Sequence, residues 1–400
     1  MSFMSRGTRP YALVTLPFLT AVLALGSVVP QAMADDLRSR QWYLDGMQAE
    51  EMWQASRGEG ITVAVIDTGV DSSVPELRGQ VLQGADVSNK PSGANADKDG
   101  HGTNMATLIA GTGAGNGIQG LAPGVKILPV RTVGNFMADV NDSLDDKAIR
   151  FAVDHGARVI NISMGGPDSV GRSPKTEAAV KYALSKGALV FASSGNDGDM
   201  SNLPNYPAAI PGVVSVGAID SSNTVTKWSN SASNVALAAP GENIPGRCTK
   251  SEGFCDGGGT SQATALASAS AALIWSKHPD WTNNQVLRVM LETAGKPTTG
   301  KIPSPYIGYG IVRPRKVLLD GEGDPGPADV NPLLAAGESA SPKPRPSSDS
   351  MSSASPNRRS AAESGFAKGG GTALSWGVGI GVVAIAGVAV TTLMARRRRQ

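Results

Sequence analysis

The chain has 400 residues, 40% of them hydrophobic, which is ordinary for a globular protein and enough for one large core or two. Its formal charge is +2, and removing the four arginines Arg396 to Arg399 leaves −2, so the balance does not favour nucleic acid as a partner.

At the amino end, Arg6 and Arg9 precede the apolar run YALVTLPFLTAVLALGSVV, and QAMADD follows it. This reads as a secretory signal peptide over residues 1–34, with cleavage after Ala34. An uncleaved anchor is the alternative, and Pro17, Pro30 and the A-x-A site speak against it. The part that follows is expected outside the cytoplasm.

A globular domain is expected over residues 35–320. ITVAVID is a predicted strand ending at Asp67, which opens the turn DTGVD. The segment DGHGT then sets His101 between glycines ahead of the helix NMATLIAGTG. Placement at a helix amino terminus disfavours a charged imidazole, a suitable setting for a base. The other two histidines, His155 and His278, stand at predicted helix carboxyl ends, where a bland structural role suffices.

The helices DDKAIRFAVDH and TEAAVKYALSKG, ended by Gly156 and Gly187, alternate with the predicted strands GARVINIS, GALVFASS and GVVSVGAI. Near-continuous apolar strands separated by helices predict an α/β fold: a mostly parallel central sheet covered by helices on both faces. Ligands of such sheets bind beyond the carboxyl ends of the strands. Asn196 follows one such end, where it can form a turn or donate its amide to an oxyanion.

Cys248 and Cys255 are the only cysteines. In an exported protein they most simply form one small-loop disulfide, two free thiols being the alternative. Just beyond, GGGTSQATALASASAAL places three glycines and two hydroxyls before a small-residue helix. Either Thr260 or Ser261 caps that helix, or Ser261 is a nucleophile on a turn open enough for a substrate backbone.

Residues 321–372 are rich in Pro, Ser and Gly and read as a disordered linker, about 40 Å in root-mean-square span. Residues 373–395 carry no charge over about 20 residues and predict one transmembrane helix. The basic tail 396–400 sets its end in the cytoplasm, leaving the domain on the outer face of the cell membrane. A buried core helix is the alternative, but it would not need four terminal arginines. Gly377 and Gly381 form a G-x-x-x-G of little weight in a glycine-rich span.

Asp67, His101, Asn196 and Ser261 thus fall in chain order, each at a strand exit or helix entry. At this point the sequence resembles the subtilisin-like serine proteases over roughly residues 40–320, on VAVIDTGVD, HGTNMA, VINISMGG, SSGND and GGGTSQATA. The resemblance implies a subtilisin-like three-layer fold. It implies that Asp67 orients the imidazole, His101 is general base and then acid, and Ser261 attacks the carbonyl. Asn196 and the Ser261 N–H would hold the oxyanion. Substrate would lie as an added strand against Ser163, Met164, Gly165 and Gly166, with Ser193, Ser194 and Gly195 on the other wall of the specificity pocket.

Three departures stand out. Leu266 lies near the place where the family has a proline in the first helical turn, Gln262 adjoins the nucleophile, and little chain separates Ala34 from the first strand, too little for a folding pro-domain. Family members often bind calcium, yet DKD at 97–99 is too short for a cage, and neither metal nor cofactor is expected. Signal, linker, single span and basic tail, with RQWYLDGMQAEEMWQASRGEG before the first strand, also resemble the mycosins, membrane-anchored subtilases associated with type VII secretion in actinobacteria. This implies a peptide or exported-protein substrate and a type VII secretion membrane complex as partner. A chiefly structural docking role in such a complex is the second expectation.

Overall fold

A computed structural model describes residues 1–2, 37–132, 145–167, 173–248 and 253–340. The apolar run of the expected signal peptide, the expected span and the basic tail lie outside them. Among the described residues no helix is long and apolar enough to cross a membrane.

Two short helices, α1 (Trp42–Met47) and α2 (Ala49–Ala55), precede a seven-stranded sheet. Its strands are β1 (Thr62–Asp67), β2 (Ala85–Asp86), β3 (Lys126–Arg131), β4 (Val159–Ile162), β5 (Leu189–Ser193), β6 (Val214–Ile219) and β7 (Val235–Pro240). They lie in the order β2-β3-β1-β4-β5-β6-β7, and every pairing is parallel. The β-branched runs read from sequence are buried on both faces, as parallel strands require.

The period of two divides the core. Val63 and Val65 of β1 join Phe191 and Val216 beneath α3 (His101–Ala110) and α6 (Thr260–Lys277). Ala64 and Ile66 face the other way, with Ile160 and Ile162, toward α4 (Asp145–Asp154) and α5 (Pro174–Ser185). Helix α6 is buried from Thr260 to Leu266 except at Gln262, and on through Trp275, so it runs through the core and not over it. Its alanines and serines allow close approach to the sheet, and its buried hydroxyls are satisfied locally: Thr264 donates to the Thr260 carbonyl and Ser270 to that of Leu266.

A hairpin, β8 (Ile244–Arg247) and β9 (Phe254–Gly257), precedes α6, while α7 (Asn283–Thr293), α8 (Pro314–Leu318) and α9 (Pro332–Ala340) follow it. Residues 321–340, which composition assigns to the disordered linker, instead lie along α7. Gln285 donates to the Gly326 carbonyl and Arg288 to that of Val330, Asn331 caps the start of α9, and Leu333 packs on the core. A few directed bonds and one apolar anchor order a segment whose Pro and Gly content concealed them. The rest of the expected linker lies outside the described residues.

The strand order reverses between β1 and β4. At such a switch point the flanking loops part and leave a crevice at the carboxyl ends of the strands. Asp67 is the last residue of β1, and Ser163 directly follows β4.

Candidate active site

Asp67 is fully buried, and its Oδ1 stands 2.7 Å from His101 Nδ1. The same oxygen accepts the Thr68 N–H, whereas Oδ2 is buried with no hydrogen-bond partner. The carboxylate is therefore left to be balanced by the imidazole. His101 begins α3, and Gly102 lets that helix approach: a Cβ there would stand 2.9 Å from the Asp67 Cβ and 2.1 Å from the Gly69 carbonyl oxygen.

The expectation that His101 disfavours its charged form is corrected by its neighbours. Burial does oppose the charge, but the charge and hydrogen bond of Asp67, aided by Asp99 and Asp97, outweigh it and raise the pKa above the ordinary value. The helix start accounts for the dipole alone; the resemblance adds Asp67, and only the fold adds Asp99 and Asp97. His155 stacks on Phe151 and bonds its carbonyl, and His278 stacks on Trp281.

Neither Thr260 nor Ser261 caps α6. The N-cap is Gly259, with no side-chain cap, and the Thr260 hydroxyl donates to Asn196 Oδ1 (2.9 Å). The Thr260 N–H donates to the same oxygen, also at 2.9 Å. This fixes the Asn196 amide with its donor end turned away from Thr260. The point where a Gly259 Cβ would stand lies 2.8 Å from Gln262 Oε1, 3.5 Å from Asn196 Nδ2 and 3.6 Å from the Ser261 nitrogen, so two donors and one acceptor border one small space. The Ser261 N–H is second in its helix and has no intrahelical acceptor. Such a pair can stabilise developing negative charge on a carbonyl oxygen.

The Ser261 hydroxyl donates to the Ser163 carbonyl (2.8 Å), and the Ser163 hydroxyl donates to the Ser261 carbonyl (3.0 Å). Asn161 Nδ2 supports the Ser163 hydroxyl, and Ser268 of α6 supports Asn161. Ser163 and Met164 are both buried, Ser163 against Ser261. Gly166 exchanges both backbone bonds with Tyr206, which leaves 163–165 as the part of that segment able to take an added strand. Opposite, Ser193 and Ser194 are buried, and Gly195 has φ +113 with Asn230 Nδ2 only 2.3 Å from where a Cβ would be. Glycine alone fits at 195 without strain.

Leu266 is the seventh residue of α6, so the departure from the family's proline falls in the second turn and not the first; its side chain is buried in the core. Cys248 and Cys255 form a disulfide across the loop end of the hairpin. Asn104 of α3 ties that hairpin to the histidine helix, donating to the Arg247 carbonyl and accepting its N–H. A cleft of about 420 Å³ lies between them, bordered by Asn104, Met105, Ile244, Cys255 and Gln262. No local signal marks Thr68 or Thr103, and the sequence offers Thr260 only as a helix cap, not as the partner of Asn196. The short acidic DKD was considered only as a metal site, but Asp97 instead binds the start of α3.

Comparison with known proteins gives the family. A profile of the subtilase family matches residues 58–310. Thermitase of Thermoactinomyces vulgaris is 35% identical over 264 residues, covering 66% of this chain and 90% of its own. A Bacillus pumilus subtilisin is 36% identical over 274 residues, 65% of this chain and 91% of its own. Among solved structures, MycP1 from Mycobacterium smegmatis superposes with a TM-score of 0.60 at 28% identity, over 72% of this chain and 86% of that one. MycP3 protease from the type VII (ESX-3) secretion system gives 0.59 at 31% identity, over 69% and 87%. The chain belongs to the subtilase family and is a subtilisin-like serine protease, a hydrolase with mycosins among its structural neighbours.

Proposed function

We propose that the chain is a membrane-anchored, extracytoplasmic serine endopeptidase linked to type VII secretion, with Asp67, His101 and Ser261 as its triad. The observation that carries the reading is the buried Asp67 held 2.7 Å from His101 at the end of β1, with Ser261 of an uncapped glycine turn bonded to Ser163 just after the neighbouring strand β4. With Nδ1–H donated to Asp67, the other ring nitrogen is the basic one. On substrate arrival the Ser261 hydroxyl leaves the Ser163 carbonyl and gives its proton to that nitrogen as Oγ attacks the scissile carbon. The oxyanion forms between Asn196 Nδ2 and the Ser261 N–H. The imidazolium then protonates the leaving amine, and water resolves the acyl-enzyme by the same steps in reverse. Substrate lies along 163–165, with Gly195 across from it. The signal peptide, the span at 373–395 and the basic tail support the topology, and the mycosin neighbours support the link to secretion.

Fluorophosphonate labelling of the full chain tests this reading. Labelling of the wild type that is lost in Ser261→Ala is the expected result. Persistent labelling of the variant refutes the nucleophile, and an unlabelled but folded wild type refutes an assembled site. A second reading, a docking component with dispensable proteolysis, draws on a structural neighbour described as an essential component of the type VII (ESX-1) secretion system. Normal secretion in a Ser261→Ala strain, beside failure in a deletion strain, would favour it.

A further inference from the structure

Asp67 and His101 meet across two elements that share no backbone ladder: the end of β1 and the start of α3. What holds them in register is a polar bridge on the far side of the pair. Thr68 is its first half. Its N–H donates to Asp67 Oδ1 (2.8 Å), and its carbonyl accepts from Arg131 Nε (3.1 Å). Its hydroxyl accepts the Gly102 N–H (3.0 Å) and donates to Asp97 Oδ1 (2.9 Å).

Asp97 is the second half. Its Oδ1 also accepts the N–H groups of Asp99 (3.1 Å) and Gly100 (2.9 Å). Its Oδ2 accepts both the N–H (2.9 Å) and the hydroxyl (2.7 Å) of Thr103. Helix α3 has Gly100 at its N-cap and no side-chain cap of its own, so Asp97 supplies the missing acceptor from the preceding loop. One carboxylate thereby joins the loop, the first turn of the histidine helix and the residue next to Asp67.

We propose that Asp97, acting through Thr68 and the first turn of α3, is a positioning residue that keeps His101 aligned with Asp67 and Ser261. The proposal rests on the triad reading above. Its physical basis is geometric: a misplacement of about 1 Å at a reacting group lowers rate on the order of 10²-fold. The carboxylates that act on the imidazole are Asp67 from β1 and Asp99 and Asp97 from the loop, and all three favour its charged form. Asp97 therefore contributes to the acid limb of activity as well as to alignment.

The test uses the full chain and the rate of inactivation by a fluorophosphonate, resolved into kinact and KI and followed across pH. Asp97→Asn keeps an acceptor toward Thr68 and the loop but turns an NH₂ toward the Thr103 N–H. Its kinact should fall by about 10²-fold with KI nearly unchanged, and its acid limb should move to lower pH. Thr68→Val keeps the carboxylate and cuts the bridge, so kinact falls with a smaller movement of the limb. Asp220→Asn removes a comparable carboxylate from a remote turn, where it accepts from Ser222 and Thr224, and should leave kinact unchanged. Wild-type kinact and an unmoved limb in both Asp97→Asn and Thr68→Val would overturn the proposal. If Asp97→Asn does not fold, Thr68→Val decides alone. Labelling of Ser261→Ala would instead indict the triad reading, so the two failures are separable.

Discussion

Glu76 is completely buried, and Arg247 of β8 holds it with two bonds, Nε to Oε1 at 2.8 Å and Nη2 to Oε2 at 2.6 Å. The arginine side chain is 31% exposed, so the two partners respond unequally to loss of the other. Arg247→Met strands a carboxylate where water does not reach it, which costs about 3–5 kcal/mol. Glu76→Gln keeps the volume and an acceptor, and the arginine turns toward solvent, so the cost is about 1–2 kcal/mol. At about 2 °C per kcal/mol for a domain of this size, melting falls by about 6–10 °C in the first variant and about 2–4 °C in the second. The double variant Glu76→Gln/Arg247→Met should be more stable than Arg247→Met alone, because the stranded charge is gone. Calorimetry on oxidised protein in a Ser261→Ala background, which prevents self-digestion, makes the comparison. A double variant less stable than Arg247→Met, or single variants of equal stability, would refute this account of the hairpin's anchor.

Three further outcomes follow from the same structure. Hydrolysis needs a neutral His101, so the acid limb of kcat/KM should lie above 6.5, because the pKa is raised; a limb below that value contradicts the balance of charges around the ring. Stability runs the other way: the His101–Asp67 contribution is fully present below the unfolded pKa and is lost as pH rises through the folded one. Asn196→Asp keeps the acceptor for Thr260 but loses the amide donor, so kcat should fall by about 10²- to 10³-fold without loss of fold; near-normal turnover would remove Asn196 from the oxyanion site. Burial works against the charged Asp86, but bonds from Ser88, Ser92 and Arg131 prevail and lower its pKa to about 2. Asp86→Asn should therefore cost about 2 kcal/mol at neutral pH, and the gap to wild type should close as pH falls from about 4 to 2; a gap that persists at low pH contradicts the linkage.

The strands and helices that sequence predicts best are those whose pattern is local. ITVAVID, GALVFASS and GVVSVGAI are continuous apolar runs, and α4 and α5 end where Gly156 and Gly187 take positive φ, 81 and 80. β3 escaped because Pro129 interrupts it. Its missing N–H falls on the side where Ile127 bonds Gln80, beside the two-residue strand β2, so the sheet tolerates it there. The four residues Asp67, His101, Asn196 and Ser261 could be read from sequence because each stands at a strand exit or helix entry, which strand and turn signals reveal.

What no local signal carried was the set of partners that give those residues their properties. Only the reversal of strand order between β1 and β4 brings Asp67, Ser163 and Ser261 to one crevice, from positions almost 200 residues apart. The direction of the His101 shift depended on carboxylates gathered around the ring, and the orientation of the Asn196 amide depended on Thr260, 64 residues away. Residue type and spacing determine which chemistry is available; charge and hydrogen-bond direction are pairwise quantities, set by which distant residues the fold brings within about 3 Å.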